Sequence, residues 1–179
     1  MAKAYLFLTD GFEEIEALAT VDILRRAGVE INTVSLTGRV EITASHSVQV
    51  IADLLFNQVN FSDADILIIP GGTPKFNDYP ELKEELNKFN QRAKKIAAIC
   101  AAPMVLGEAG FLKGKKATCY PSFEKYLHGA EVSTEAVVVD GNIITGKGPA
   151  FAILFALTIV EELLGKDKRV EVETAMLLR

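Results

Sequence analysis

The sequence predicts an α/β fold, in which helices cover both faces of a mostly parallel sheet. Short apolar segments alternate with segments of helical periodicity, which is typical of doubly wound sandwiches. Two of the apolar segments, 66–69 and 96–99, contain no polar residue, as expected for strands that are buried on both faces. The 179 residues contain no linker or repeat, so we expect a single domain over 1–179.

The first half of the chain predicts a strand–helix–strand unit followed by a small strand pair. The first apolar segment ends at Thr9, Asp10 and Gly11. The helix after it has acidic residues in its first turn, which complement the helix dipole, and Gly28 suits the position just past its C-terminus. The predicted elements are strands at 4–8, 31–35 and 65–69, a paired 40–43 and 48–51, and a helix at 13–27.

The second half of the chain continues the alternation. Asp140 and Gly141 form a favoured two-residue hairpin turn, and Pro149 and Gly165 bound a long predicted helix. The tail, 166–179, has a mixed pattern that predicts either a last turn or pairing with a partner. The predicted elements are helices at 81–95, 102–109 and 150–164 and strands at 96–99, 117–120, 137–139 and 143–145.

Composition excludes several classes of function. Lys and Arg number 19 and Asp and Glu 24, giving a net charge of −5, so neither nucleic acid nor a membrane is an expected partner. No apolar stretch reaches the ~18 residues of a membrane span, and the N-terminal apolar segment is too short for a signal peptide. The two cysteines form neither a disulfide framework nor a zinc motif, which favours a cytoplasmic protein with free thiols.

Cys100 is the strongest candidate functional residue. It lies between a buried strand and a helix that begins with small residues, a pattern typical of a nucleophile elbow. The helix N-terminus is expected to lower the pKa of the thiol. A buried structural cysteine is the alternative. The carboxyl ends of the strands are where ligands bind in this fold class. They are Thr9-Asp10-Gly11, Pro70-Gly71-Gly72, Cys100-Ala101-Ala102 and Gly146-Lys147-Gly148-Pro149.

Glu16 is the candidate proton carrier. Ile15 and Ala17 flank it, so its carboxyl is expected to face the sheet end, where burial beside a thiolate would raise its pKa and keep it protonated. Glu13 and Glu14, by contrast, are interpreted as surface acids. The amides of Gly71, Gly72 and Ala101 are candidates for an oxyanion hole, with an ordinary loop turn as the alternative.

Histidines are scarce, which weighs against a cysteine–histidine hydrolase. His46 is expected to line a pocket, whereas His128 is interpreted as a surface residue and Cys119 as structural. The chain has no HExxH, GxGxxG or phosphate-binding loop motif, and no metal site is predicted.

Five motifs, in order along nearly the whole chain, resemble the ThiJ/PfpI superfamily, above all its branch that contains the parkinsonism-associated protein deglycase and its bacterial relatives. The motifs are Asp10 to Glu16, Asp22 to Gly28, Pro70-Gly71-Gly72, Ala97 to Pro103 and Gly148-Pro149. The resemblance implies a three-layer flavodoxin-like sandwich, a homodimer and no cofactor. It also implies that Cys100 is the reactive cysteine, that Glu16 hydrogen-bonds it, and that Gly72 and Ala101 donate amides to an anion pocket. Arg26 matches a basic residue near the dimer interface and, with His46 and Tyr120, is a candidate pocket residue.

The resemblance implies activity on small aldehydes or glycated substrates, of the glyoxalase III or deglycase type. The alternatives are a redox-sensing or chaperone-like protein, whose Cys100 is oxidised to sulfinate, and a small-molecule binding module with an inert cysteine. Tyr120 stands where the deglycase has a histidine, and His46 where it has an arginine. Ala101 follows the cysteine where the peptidase branch has a histidine, which argues against proteolysis.

Overall fold

The computed structural model describes all residues, 1–179. Strands and helices alternate as the sequence predicts. The strands are β1 (Lys3–Leu8), β2 (Glu30–Ser35), β3 (Glu41–Thr43), β4 (Gln49–Ile51), β5 (Leu54–Leu55), β6 (Ile66–Ile69), β7 (Lys95–Ile99), β8 (Lys116–Ala117), β9 (Glu131–Val132), β10 (Val137–Asp140) and β11 (Ile143–Gly146). The α-helices are α1 (Glu14–Arg26), α2 (Pro80–Gln91), α3 (Pro103–Glu108), α4 (Ala152–Leu164) and α5 (Lys166–Ala175).

Seven strands form one sheet in the order β10-β11-β7-β6-β1-β2-β5. Every neighbouring pair in it is parallel except the β10–β11 hairpin. Around the sheet, α1 packs on α4 and α4 on α5, whereas α2 and α3 contact β7. The predicted α/β sandwich with a mostly parallel sheet is therefore confirmed. Because β1, β6, β7 and β11 are adjacent and parallel, their carboxyl ends meet at one edge, where ligands bind in such folds.

The end of α1 shows how local sequence sets the start of the next strand. Gly28 has a φ of +82°, a left-handed conformation that glycine adopts without a steric penalty. Its amide donates to the carbonyl of Arg25, and the Val29 amide donates to that of Leu24, both at 3.0 Å. The helix thus closes as predicted, and the chain enters β2 alongside β1.

Several segments differ from the predictions. Helix α2 ends at Gln91 because Ala93 turns left-handed, with a φ of +52°, and β7 begins at Lys95. The strand predicted at 117–120 shortens to β8, which pairs with β9 outside the main sheet. Strand β5, at the sheet edge, was not predicted, and the tail forms the α-helix α5. None of the helices has both the length and the apolar surface that crossing a membrane requires.

Candidate active site

Cys100 lies on the sharp turn that was predicted between β7 and α3. Its φ of +66° is left-handed, a strained conformation for a residue with a side chain. The Cys100 amide donates to the carbonyl of Gly146 on β11 at 2.9 Å, and its own carbonyl accepts from the Tyr120 amide at 2.8 Å. These bonds hold the turn from two sides, and the residue is only 8% exposed.

Glu16, one turn into α1, is fully buried beside this cysteine. Glu13 caps the helix by accepting the Glu16 amide at 2.8 Å, which fixes the first turn. One carboxyl oxygen of Glu16, Oε2, accepts the amide of Gly71 at 2.7 Å. The other, Oε1, is buried with no hydrogen-bond partner. The Glu16 carboxyl and the Cys100 thiol are close neighbours, because a Cβ atom on Gly71 would lie 2.8 Å from Glu16 Oε2 and 3.0 Å from Cys100 Sγ.

Burial raises the pKa of Glu16 to about 7, and the Gly71 amide and the neighbouring Cys100 thiol offset only part of that rise. The expected upward shift of this carboxyl is thus confirmed. Burial also raises the pKa of the Cys100 thiol, to about 12, and the negative charge of Glu16 adds to the rise. The amides of Ala101 and Gly72 act in the opposite direction and lower the pKa of the thiol, because a nearby N–H group stabilises the thiolate.

The prediction that the helix N-terminus lowers the pKa of the thiol is wrong for Cys100 beside an ionised Glu16. Helix α3 has six residues, too few for a strong dipole, and desolvation of the sulfur outweighs it. Two groups that interact this strongly titrate as a pair. The reactive form of the pair is the one in which its last proton resides on Glu16 and the sulfur carries the charge.

Two glycines allow the backbone to approach this pair. A Cβ atom on Gly71 would lie 2.5 Å from the Cys100 Cβ and 3.0 Å from its Sγ. Gly72 has a φ of +93°, and a Cβ there would collide with the backbone of Gly11 to Glu13. The Gly71 amide is bonded to Glu16, so it is not the free donor that was predicted. The amides that reach the sulfur are those of Gly72 and Ala101.

A cleft of about 360 Å³ opens above the sulfur. Tyr120, 46% exposed, and His46 both line it, as predicted. His46, near the β3–β4 turn, is bound to Glu14: its Nδ1 lies 3.1 Å from the Glu14 carboxylate, and its amide donates to that group at 3.0 Å. The other lining residues are Glu13, Ser45, Gly72, Pro74, Cys100, Ala101, Phe123 and Pro149.

Arg26 does not belong to this cleft, which corrects its inclusion among the pocket residues. It lies in the last turn of α1, ten residues or about 15 Å along the helix from Glu16, and pairs with Asp22 at 2.6 Å. His128 is exposed elsewhere, as predicted. Cys119 is also a buried free thiol whose pKa burial raises to about 12, but unlike Cys100 it does not line the cleft.

Glu13 is the residue that sequence reasoning missed. It is only 7% exposed and lines the cleft, although it was interpreted as a surface acid. Its position three residues before Glu16 was the available signal, because an acidic N-cap bonds the third amide of a helix. Glu13, Glu14 and His46 also bring potential metal-ligand atoms within 4.8 Å of one another. Both carboxylates already have partners within the protein: Glu13 accepts the Glu16 amide, and Glu14 pairs with His46.

The fold and the site together define a flavodoxin-like α/β protein with a strained cysteine paired to a buried glutamate. The chain belongs to the DJ-1/PfpI family, whose profile matches residues 2–162, and the resemblance to the ThiJ/PfpI superfamily is confirmed.

The relatives support this assignment. Protein dj-1beta of Drosophila melanogaster is 38% identical over 181 residues, covering 98% of this chain and 97% of that protein. Protein DJ-1 homolog B of Arabidopsis thaliana is 36% identical over 182 residues, but the chain spans only 42% of its length. The structure titled Toxoplasma gondii DJ-1, oxidized, superposes with a TM-score of 0.94 at 35% identity, over 99% of this chain and 98% of that one.

Proposed function

We propose that the protein converts small reactive aldehydes, such as methylglyoxal, through covalent addition to Cys100 and without a cofactor. One observation carries the proposal. The buried sulfur has beside it both a carboxyl whose pKa is about 7 and two amide donors, Gly72 and Ala101. An acid that titrates near neutral pH can both accept and return a proton, and fixed amides stabilise developing negative charge.

The geometry supports a stepwise reaction. The thiol proton moves to Glu16, and the thiolate adds to the aldehyde carbon to form a hemithioacetal. The amides of Gly72 and Ala101 stabilise the negative charge on the oxygen. Glu16 returns its proton to that oxygen and then, as the carboxylate, moves a proton from the aldehyde carbon to the neighbouring carbon through an enediolate. This oxidises the first carbon to a thioester and reduces the ketone. Water hydrolyses the thioester to lactate and restores the thiol, so no external oxidant is consumed.

The test is lactate formation from methylglyoxal. Cys100→Ala is expected to abolish it, and Glu16→Gln to reduce it by about 10²- to 10⁴-fold, the usual contribution of a general acid or base. Cys119→Ala is the matched control, because it removes the other buried thiol, and it is expected to retain activity. Equal lactate formation by the wild type and Cys100→Ala would refute the proposal.

A second candidate function, redox sensing, has its own support. The relative from Toxoplasma gondii is described as oxidized. In this chain the amides of Gly72 and Ala101 and a protonated Glu16 are positioned to hold sulfinate oxygens on Cys100. Two equivalents of peroxide would oxidise the thiol to sulfinate and yield two waters. Intact mass after mild peroxide is expected to show two added oxygens in wild type and Cys119→Ala. The same gain in Cys100→Ala would eliminate this function.

Proteolysis is disfavoured because Ala101, not a histidine, follows Cys100, and the ionisable group that shifts the pKa of the thiol is the Glu16 carboxyl rather than an imidazole. Absence of casein cleavage by the wild-type protein is the expected result.

We also propose that the chain forms a homodimer. Ile15 and Leu18 on α1, and Val48 and Ile51 on the β3–β4 hairpin, are large apolar side chains between 40% and 74% exposed. Hydrogen bonds tie the hairpin to the segment before α1, including that from Ser45 Oγ to the carbonyl of Gly11 at 2.6 Å. Sedimentation is expected to show a dimer that Leu18→Asp dissociates. A monomeric wild type would contradict this proposal.

A further inference from the structure

The cleft above Cys100 has an acidic side chain in its wall. Glu13 lines this cleft and is only 7% exposed, so its carboxylate is largely removed from bulk water. One of its oxygens, Oε2, accepts the Glu16 amide at 2.8 Å, and this is the only hydrogen bond that the carboxylate accepts within the protein. Its second oxygen, Oε1, therefore has no hydrogen-bond partner, and a molecule in the cleft meets a carboxylate with one unpaired oxygen.

No cation in the wall balances the charge of Glu13. The 10 residues that line the cleft include no lysine and no arginine. His46 is the one titratable base among them, and its Nδ1 lies 3.1 Å from the carboxylate of Glu14. Ligand atoms of Glu13, Glu14 and His46 all lie within 4.8 Å of one another. Two carboxylates thus face one imidazole, and the sum of their charges is negative even when the imidazole is protonated.

The charge of Glu13 also acts on the reactive pair. Glu13 is the N-cap of α1, where the Glu16 amide and the positive end of the helix stabilise a negative charge. Burial is the main cause of the raised pKa of Glu16, and the negative charge of Glu13 adds to the rise. Because Glu16 neighbours the sulfur, a molecule that adds to Cys100 enters the same electrostatic field. Clefts lined by charge of one sign select ligands by their charge.

We propose that Glu13 is a specificity-determining residue, which disfavours anionic carbonyl compounds at Cys100 and admits uncharged or cationic ones. This inference rests on the proposed aldehyde chemistry and defines its class of substrate by charge. Methylglyoxal is uncharged, whereas a 2-oxo acid would bring a second carboxylate into the cleft, and like charges brought together are unfavourable. The product lactate is also an anion, so the same repulsion favours its release.

The experiment compares alkylation of Cys100 by two reagents of similar size, the uncharged iodoacetamide and the anionic iodoacetate. All proteins carry Cys119→Ala, so that Cys100 is the only thiol. The measured quantity is the ratio of the two rate constants, iodoacetamide over iodoacetate, divided by the same ratio for N-acetylcysteine amide. A change in the thiolate fraction cancels in this quantity, because both reagents attack the same thiolate at the same pH.

With Glu13 present, the normalised ratio is expected to be about ten, the lower end of what a charged cleft achieves. Glu13→Gln is expected to reduce it about fivefold, because glutamine can still accept the Glu16 amide but carries no charge. Glu13→Asp keeps the charge on a good N-cap residue and is expected to retain most of the preference. Glu41→Gln, at an exposed position on β3 outside the cleft, is the matched control and is expected to leave the ratio unchanged.

Three results would refute the role of Glu13 while leaving the aldehyde chemistry intact. They are a normalised ratio near one with Glu13 present, an equal ratio in Glu13→Gln, and a loss in Glu13→Asp as large as that in Glu13→Gln. Turnover gives a separate readout, since added lactate is expected to inhibit methylglyoxal conversion more strongly in Glu13→Gln than in wild type. If the alkylation ratios follow the expectation but no lactate forms from methylglyoxal, charge selection at Cys100 is upheld and the proposed function fails.

Discussion

Glu16→Gln should make folding stability less dependent on pH, because it replaces a buried acid with a neutral side chain of nearly the same shape. The ordinary pKa of the carboxyl is 4.5, and in the folded protein it is about 7. The folded state therefore retains this proton at pH values where the unfolded chain has released it. Since the folded state binds more protons, stability falls as pH rises from 4.5 and levels off above 7.

The size of the effect follows from the shift. At about 1.36 kcal/mol per pKa unit, ionising Glu16 costs the folded state about 3 kcal/mol by pH 8. Glu16→Gln removes this cost. The free energy of unfolding of the variant, relative to wild type, is thus expected to increase by about 3 kcal/mol between pH 4 and pH 8.

Urea unfolding at several pH values measures this difference directly. The m-value should be the same for both proteins, since the mutation leaves the surface exposed on unfolding unchanged. Glu81→Gln, at an exposed position at the start of α2, is the matched control and should show no such increase. Parallel stability curves for wild type and Glu16→Gln across this pH range would refute the assignment of a raised pKa to the buried carboxyl.

Three further predictions concern the residues around the Cys100 sulfur. Gly71→Ala is expected to destabilise the protein by about 1–3 kcal/mol in urea unfolding and to lower activity, because the new Cβ would lie 2.5 Å from the Cys100 Cβ; an unchanged midpoint would contradict this. Cys100→Gly is expected to be about 1 kcal/mol more stable than Cys100→Ala, because only glycine relieves the left-handed φ of +66°; equal stability would show that the turn is unstrained. The alkylation rate of Cys100 is expected to increase in a step as the pH passes about 7, and Glu16→Gln is expected to remove this step. The reason is that the thiolate forms with a proton on Glu16 only after the Cys100–Glu16 pair has lost its first proton. A step that persists in Glu16→Gln would show that another group causes it.

The parts of the fold and site that the sequence predicts well depend on local pattern. All-apolar segments identify the central strands, and the parallel order then brings Gly72 and Cys100 to one sheet edge. Glu16 could be placed there from its position in the apolar part of the helix pattern, although only one of its two neighbours, Ala17, is buried and Ile15 is 57% exposed. Gly28 could be placed because its position after a helix requires a left-handed φ. Each of these inferences uses residues that are close along the chain.

The features that the sequence did not predict depend on three-dimensional surroundings. The pKa of the Cys100 thiol is set by desolvation and by Glu16, neither of which the strand-to-helix pattern reveals. Arg26 lies on the same helix as Glu16, but ten residues of rise separate it from the cleft. Strand β5 has two residues, too few to produce a period, and is assigned only through its pairing with β2.

Several costs to stability occur together at one edge of the sheet. Cys100 adopts a left-handed φ, and Glu16 has a buried carboxyl oxygen without a hydrogen-bond partner. Only glycine fits at positions 71 and 72, because a Cβ atom there would collide with neighbouring atoms. A strand-to-helix connection does not need a strained non-glycine residue, since β1 is joined to α1 without one. Strain and buried unpaired acids persist in proteins where the surrounding structure holds them for a function. Removing the strain at Cys100, the buried charge at Glu16 or the contact at Gly71 affects stability and the reactivity of the sulfur in different ways. The chemical role of the turn can therefore be separated from its structural one.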